Sequence, residues 1–199
     1  MFDIPIRDIE RLGDAVNQLA NNTAARESDI VKVLLRVGGA AKQFGLTAQE
    51  TAALADAFLA LGRGPEIAGT AINALLNRLQ AAEGQAKSFH EGLARLNTDA
   101  TTLADNIEAN PQRALVEFLA TMEKLDKRSR ALVLTDLFGQ EYADDIAILV
   151  GSLDEYRKAL GLVADESDYL GGVNEEFNKR MEATQELLSL IHISEPTRP

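Results

Sequence analysis

Residues 47–82 read TAQETAALADAFLALGRGPEIAGTAINALLNRLQAA, and this stretch decides the fold class. It opens with a capping box, because the Thr47 side chain can accept from the third helical N–H while Glu50 reaches back to the Thr47 backbone. Apolar residues then recur every three or four positions, as on one face of a helix: Leu54, Ala57, Phe58 and Leu61. Gly62 and Gly64 end this helix, and Pro65 suits the first turn of the next.

The second helix of this stretch is predicted to run from Pro65 to about Ala82. Its spacing predicts that four apolar residues are buried: Ile67, Ala71, Leu75 and Leu79. Alanine occupies 14 of the 47 positions from 40 to 86. Because small side chains let helix axes approach to about 8 Å, the low end of the usual range, we expect the tightest packing here.

Helical spacing continues on both sides of this stretch, and no segment sustains the alternation of a strand. Helix starts are indicated near Pro5, Ser28, Gly84, Asp99, Asn110, Asp126, Gln140, Ser152 and Ser167, and stops near Asn21, Gly45 and Gly139. Gly38 and Gly39 lie inside a predicted helix and mark a close contact or a bend. The last predicted helix, with Gly171 and Gly172 near its start, places Phe177, Met181 and Leu187 on one side. The sequence therefore predicts an all-α fold, an irregular bundle of about nine to eleven short helices.

Length and composition limit the remaining possibilities. The chain has 199 residues, and we assign residues 1–187 to one all-helical segment with a sub-boundary near 84–110. The absence of cysteine excludes disulfides, thiol catalysis, Cys-ligated zinc and iron–sulfur clusters. The formal net charge of −11, with −2 on residues 1–100 and −9 on residues 101–199, disfavours direct nucleic-acid binding. No membrane span and no secretory signal are predicted in this sequence.

His90 is the main candidate for chemistry. It lacks the second histidine of a helical zinc-protease motif. With Lys87 before it and Gly92 after it, His90 fits a helical histidine phosphotransfer module. The competing interpretation is a partly exposed helix histidine with no chemical role. Phosphotransfer requires His90 to be exposed in the middle of a helix of a four-helix bundle.

Three other patterns have simple structural interpretations. Glu141, Asp144 and Asp145 resemble a cation site, but adjacent helix positions do not face each other, so we expect a solvated helix face.

Residues 165–168 begin like a calcium loop, yet Leu170 stands where that loop needs glycine, which favours a polar linker that caps the last helix. Gly62, Gly64 and Gly69 lack the strand and the Gly-Lys-Ser/Thr of a phosphate loop, so we interpret them as helix punctuation. The sequence thus predicts no enzyme and no catalytic, cofactor-binding or metal site.

Segments spread in order along the chain resemble the core region of phage tail tape-measure proteins. They are LGDAVN at 12–17, NNTAA at 21–25, DIV at 29–31, LRVGGAA at 35–41, FGLTAQE at 44–50, AALA at 52–55, PEIAGTAIN at 65–73, LFGQE at 137–141 and LDEYR at 153–157. The similarity extends from about residue 4 to residue 187. Its specificity comes from the ordered series of glycine and capping positions rather than from any one Ala/Leu-rich piece.

The resemblance implies a non-enzymatic virion protein. Members of the family occupy the lumen of the tail tube, set the length of the tail during assembly and leave ahead of DNA at infection. The implied partners are the tail tube protein, tail assembly chaperones and baseplate or tip proteins. The implied location is the virion, and the host cytoplasm during assembly. Some members carry peptidoglycan-cleaving domains or membrane-active segments, and this sequence shows neither pattern.

The helix signals conflict with the idea that this segment is itself a ruler. An unbroken helix of ~187 residues would span ~280 Å at ~1.5 Å per residue, but the Gly, Pro and capping signals forbid it. We therefore expect a compact bundle within a longer tape measure, with the ruling stretch elsewhere. A narrow lumen requires the bundle to open, and a core without Trp makes opening less costly because fewer large side chains leave burial.

The end of the chain is interpreted as non-native. Residues 188–198 read LSLIHISEPTR, which is the translation of a transposase-type sequencing adaptor in one frame. We therefore exclude 188–199 from the fold and expect the natural protein to continue past residue 187. His192 falls in this tail and is no longer a candidate, which leaves His90.

A third hypothesis is a bacterial helical interaction module without a role in a tail. Genes for a tail tube, a chaperone and a baseplate beside this one would favour the tape-measure hypothesis, and their absence would count against it.

Overall fold

The computed structural model describes residues 6–179 and residue 181, and within them the chain forms ten helices and no strand. The helices are α1 (Ile6–Asn22), α2 (Glu27–Phe44), α3 (Ala48–Ala60), α4 (Pro65–Gln80), α5 (Lys87–Arg95), α6 (Ala100–Ala109), α7 (Pro111–Glu123), α8 (Lys127–Gly151), α9 (Leu153–Leu162) and α10 (172–179). Short 3₁₀ turns lie at Ala82–Gly84 and Glu166–Asp168. The predicted all-α fold class is confirmed.

Helix α3 lies at the centre of the bundle. The predicted capping box is confirmed, since Glu50 N donates to Thr47 Oγ1 at 3.1 Å and Thr47 N donates to Glu50 Oε2 at 2.8 Å. Every residue from 51 to 58 is buried, and α1, α2, α4 and α9 pack around the helix. An Ala-rich sequence suits this position because short side chains can be buried on all sides of one helix.

The contact between α2 and α4 is close at Gly69. A Cβ built on Gly69 would lie 2.9 Å from Arg36 Cδ, and the Arg36 guanidinium forms an ion pair with Glu66. The prediction that Ile67 is buried is wrong, because Ile67 is 45% exposed. The buried stripe of α4 is centred on Ala68 and Ile72, and Ile67 lies about 100° from Ala68 around the helix.

Helix α2 starts close to the predicted position at Ser28, but Ser28 is not its N-cap. Helix α2 already begins at Glu27, so Ser28 lies within its first turn, and Arg26 occupies the N-cap position without a side-chain hydrogen bond. The preceding turn is closed instead by Thr23 Oγ1, which accepts from Ala25 N at 3.2 Å. The chain therefore enters the helix earlier than the serine indicated.

Glycine ends α2 as predicted. Gly45 has a φ of +97°, and its N–H donates to Ala41 O at 3.0 Å. A Cβ at Gly45 would lie 2.7 Å from Pro111 Cγ, so space as well as conformation requires glycine. Within the helix Gly38 is buried, whereas a Cβ at Gly39 would meet nothing within 4 Å.

Helix α8 is broken at Gly139, where a helix end was predicted. Gly139 has a φ of 72° and a ψ of 166° inside an otherwise helical segment. Arg78 of α4 donates from Nη1 to Leu137 O at 2.9 Å, which satisfies a carbonyl beside the break. On the other side, a Cβ at Gly92 of α5 would lie 2.9 Å from Leu137 Cδ2, so α5 packs closely on α8.

The last described helix starts later than predicted. Ser167 belongs to a 3₁₀ turn, in which Asp165 Oδ1 accepts from Ser167 N at 2.9 Å. Gly171, with a φ of +87°, then redirects the chain into α10. Phe177 is 61% exposed, and Met181 is also exposed. Leu187 and the predicted adaptor tail 188–199 lie outside the described residues.

Candidate functional site

His90 lies in the first half of the nine-residue helix α5. Its ring is half-buried and packs edge-on against Phe89, with ring centroids 6.1 Å apart. Its Nε2 lies 3.1 Å from Gln85 O, in the loop before the helix. Because one ring nitrogen already faces a carbonyl of its own loop, this geometry does not favour phosphotransfer.

The acidic residues of α8 do not converge on one point. Asp145 pairs with Arg63, whose Nε lies 3.0 Å from Asp145 Oδ1, while Glu141 and Asp144 are exposed. Across residues 6–179 and 181, no three His, Asp or Glu side chains are placed to hold a metal ion together. Asp145 therefore joins α8 to the link between α3 and α4.

The glycines once considered for a phosphate loop shape helix ends and contacts. Gly62 has a φ of +83°, Gly64 occupies the N-cap position of α4, and Gly69 faces Arg36. Asp165, which starts the calcium-like stretch, is held by its bond from Ser167.

An open cleft of about 510 Å³ lies between the start of α3 and the end of α9. Gln49, Gln112 and Gly161 are among its lining residues, with two carboxylates. Glu50 is engaged in the capping box, and Glu166 forms an ion pair with Arg11 at 3.6 Å. The charged groups of the cleft thus already have partners within the chain.

Buried polar groups concentrate instead where α10 meets α1, which we call the α1–α10 junction and define as Asp14, Asn17, Gly171, Val173 and Glu176. Asp14 is buried, and its two carboxylate oxygens accept from Gly171 N and Val173 N, each at 2.9 Å. Asn17 is buried as well, and its amide donates to the Glu176 carboxylate.

The same amide nitrogen of Asn17 donates to Glu27 Oε1 at 2.9 Å, so one side chain bridges α1, α2 and α10. Asn21 Nδ2 in turn donates to Asn17 Oδ1 at 3.0 Å. The amide nitrogen of Asn17 therefore bonds to two other helices, and its oxygen accepts from the next turn of α1.

A buried carboxylate lies on α3 beside the turn that follows α1. Asp56 is 1% exposed, and Thr23 Oγ1 donates to its Oδ1 at 2.7 Å. Burial raises the pKa of Asp56, while the bond from Thr23 and the charge of Lys158 lower it and Glu155 raises it. On α9, Tyr156 is fully buried, its hydroxyl has no hydrogen-bond partner among the described residues, and burial raises its pKa.

The sequence did not predict the roles of Asp14, Asn17, Asp56 or Tyr156. Asp56 carried a usable signal, since it is the only charged residue between Glu50 and Arg63. Asp14 carried none, because its partners are 157 and 159 positions away.

Among the described residues, five exposed apolar side chains lie on α1 or between positions 170 and 181. They are Ile9, Leu170, Val173, Phe177 and Met181. In the part of the chain that the structure describes, no helix has both the length and the apolar character needed to cross a bilayer.

Comparison with protein families gives one match that covers most of the chain. The family described as "Phage-related minor tail protein" matches residues 1–139. The chain belongs to this family. The minor tail protein match ends at Gly139, where α8 breaks, so it includes α3 with its neighbours α2 and α4. Helices α9 and α10 lie beyond the matched residues.

Two relatives of this minor tail protein segment carry the name "Probable tape measure protein". The protein of Halomonas phage phiHAP-1 is 28% identical over 166 residues, which cover 83% of this chain and 19% of that protein. The protein of Escherichia phage P2 is 28% identical over 197 residues, 92% of this chain and 24% of that protein. The chain thus spans about a fifth to a quarter of the length of these curated relatives. No solved structure matches it.

Proposed function

We propose that this chain is a structural segment of a phage tail tape measure. The observation that carries the proposal is its similarity, over 83% and 92% of its length, to two proteins named as probable tape measure proteins. In this role the full protein fills the lumen of the tail tube, sets the length of the tail during assembly and is released ahead of DNA. The segment acts by packing and contact, without catalysis.

The geometry supports a compact segment of that tape measure, one that does not itself set the length of the tail. The longest element, α8, has 25 residues and is broken at Gly139, so even unbroken it would span only about 38 Å. An extended helix of the described segment would span about 260 Å. The proposal therefore assigns the length-setting stretch to the part of the full protein that this chain does not cover.

Loss of the full protein tests the tail role. An amber codon in the gene, in the phage that encodes this chain, should abolish tails of normal length, and a suppressor host should restore them. Electron microscopy of lysates measures tail length, and mass spectrometry of purified particles should find peptides of residues 6–179. Tails of normal length without the protein, or its absence from particles, would refute the proposal.

Two in-frame deletions test which part sets the length. Removal of residues from the stretch outside this chain should shorten the tail by about 1.5 Å per residue. Removal of α5 and α6 from the bundle should not shorten the tail by this rule. A shortening at that rate from both deletions would show that the bundle is extended in the tail and contributes to tail length, which would refute the proposal of a compact segment.

Contacts with tail proteins form the finer part of the proposal. The proposed partners are the tail tube protein, the tail assembly chaperones and the baseplate or tip proteins. Lys87, Lys124 and Lys127 are exposed, so amine cross-linking of particles should join them to the tube protein. Cross-links of these lysines solely within this chain would contradict a lumenal position.

No specific observation favours the two other hypotheses, a phosphotransfer module at His90 and a general helical interaction module. Genes for tail tube, chaperone and baseplate proteins beside this gene are expected under the proposal.

A further inference from the structure

The buried polar side chains of the described structure are unevenly distributed. Asp14, Asn17, Thr51 and Asp56 are the buried polar or charged residues among those described. Thr51 is bonded within its own segment, to Thr47 O at 2.7 Å. The other three connect α1, or the turn after it, to the remainder of the bundle.

Asp14 supplies to α10 the cap that its own sequence lacks. The first N–H groups of a helix have no partner within the helix. Here Asp14 accepts from Gly171 N and Val173 N, so a residue of α1 takes the place of a local N-cap. The start of α10 is thereby tied to the middle of α1.

Apolar burial contributes little to this attachment. Val173, Phe177 and Met181 are all exposed. At Gly13 of α1, a built Cβ would lie 3.8 Å from Val173 Cγ2. Hydrophobic stabilisation scales with the apolar area removed from water, and little is removed here. The hydrogen bonds of Asp14 and Asn17 therefore provide most of the stabilisation that holds α10 on α1.

We propose that α10 is a detachable element, latched to α1 by Asp14 and Asn17, and that its release precedes any opening of the core around α3. Local opening of a protein proceeds first through units with few buried apolar contacts, and α10 is such a unit. Water can replace the lost hydrogen bonds once α10 has left, whereas nothing replaces the apolar contacts of α3. The latch is a property of the folded chain, and it stands or falls independently of the role in a tail.

Hydrogen exchange of the full 199-residue chain tests the latch. Amides of α10 should exchange at least tenfold faster than those of α3 in the unaltered chain. Asp14→Ala should accelerate exchange across residues 171–179 by a further tenfold or more and leave α3 unchanged. Equal acceleration in α3, or no acceleration in α10, would overturn the proposal.

Asp99→Ala is the matched control. Asp99 also caps a helix, because it accepts from Thr102 N at 2.9 Å, but its partner is three residues away. This variant should accelerate exchange at the start of α6 and leave α10 at the rate of the unaltered chain. Acceleration of α10 by Asp99→Ala would mean that any lost cap loosens α10, and the specific role of Asp14 would be refuted.

A reversible cross-link provides a second test, which does not depend on how well Asp14→Ala folds. The chain has no cysteine, so Gly13→Cys with Val173→Cys gives one defined pair where α10 approaches α1, since a Cβ at Gly13 would lie 3.8 Å from Val173 Cγ2. Oxidation should slow exchange in α10 by at least tenfold with little effect on α3, and reduction should reverse it. An equal slowing in α3, or no slowing in α10 once the bond has formed, would overturn the latch.

Discussion

Helices α3 and α10 are each capped at the N-terminus by a side-chain oxygen that accepts from backbone N–H groups. They differ in how far the capping residue lies in sequence and in how much of the helix is buried. The cap of α3 is Thr47, the residue next to it in sequence. The cap of α10 is Asp14, 157 residues before Gly171. Helix α3 is buried on all sides, whereas α10 exposes Phe177 to water. A helix with a local cap and a buried surface opens only when the whole fold opens. A helix with a remote cap and little burial can detach while the rest of the fold stays closed.

The largest expected effect comes from truncating one phenylalanine in each region. Phe58 of α3 is fully buried, so Phe58→Ala should lower the free energy of unfolding by about 3–5 kcal/mol through lost burial and the cavity left behind. Phe177→Ala on α10 should change it by less than about 0.5 kcal/mol. Urea unfolding followed by circular dichroism measures both. Comparable losses would show that α10 is integrated into the core.

The next effect concerns two glycines of α2, the helix that leads into α3. Gly45→Ala should cost about 2 kcal/mol, because an L-residue is strained at its φ of +97° and the new Cβ would meet Pro111. Gly39→Ala is the control of opposite sign. Its Cβ would meet nothing within 4 Å, so higher helix propensity should raise stability by about 0.5–1 kcal/mol. Thermal unfolding of both variants would refute this pair if the two midpoints moved in the same direction.

The contrast between near and remote partners also explains what the sequence could predict. The Thr47 capping box, the Gly45 helix end and the start at Pro111 depend on residues within a few positions, and all are confirmed. Ser28 failed because a local hydrogen bond from Ala25 N to Thr23 Oγ1 closes the preceding turn, and the helix begins at Glu27. Ile67 failed because the buried face of α4 is set by which helices surround it, and this is tertiary information.

For function, the order of glycine and capping signals along the chain was enough to indicate the family, and the match over residues 1–139 confirms it. Residue-level roles were not accessible in this way. Asp14 has no distinguishing local pattern, since its partners Gly171 and Val173 meet it only in the folded chain. Asp56 stands in an apolar run and could have been singled out, but its partner Thr23 could not.

A smaller effect is expected from loss of the local cap of α3. Thr47→Ala removes a local cap of the central helix, so it should lower global stability by about 1 kcal/mol. Thr70→Ala is the matched control, because Thr70 is an exposed helix threonine whose hydroxyl bonds Glu66 O within the same helix. It should change stability by less than about 0.5 kcal/mol. An effect of Thr47→Ala confined to the exchange rates of α3, with the unfolding midpoint unchanged, would contradict the view that α3 opens only globally.

The smallest expected effect tests whether the buried carboxylate of Asp56 lowers the stability of the fold at neutral pH. Burial raises the pKa of Asp56 above its ordinary 3.8, so the folded chain holds this proton more tightly than the unfolded chain does. Stability is therefore reduced at pH values above the folded pKa, and the loss disappears as the pH falls below 3.8. Asp56→Asn cannot ionise and still offers an oxygen to Thr23, so it should gain about 0.5 kcal/mol at neutral pH, and this gain should shrink toward acid.

Asp99→Asn is the control with the opposite sign. Hydrogen bonds from Thr102 lower the pKa of Asp99, so its stabilising contribution is present above pH 3.8 and is lost as the pH falls through the folded pKa. At neutral pH this variant should therefore be less stable than the unaltered chain, and the difference should also shrink toward acid. Urea unfolding at neutral pH, near pH 4 and at a pH below 3.8 compares the two variants, because the Asp56 effect changes above pH 3.8 and the Asp99 effect changes below it. A loss of stability in Asp56→Asn at neutral pH would mean that the Thr23 bond and the charge of Lys158 outweigh the cost of burial. The ionised Asp56 would then stabilise the fold and not destabilise it.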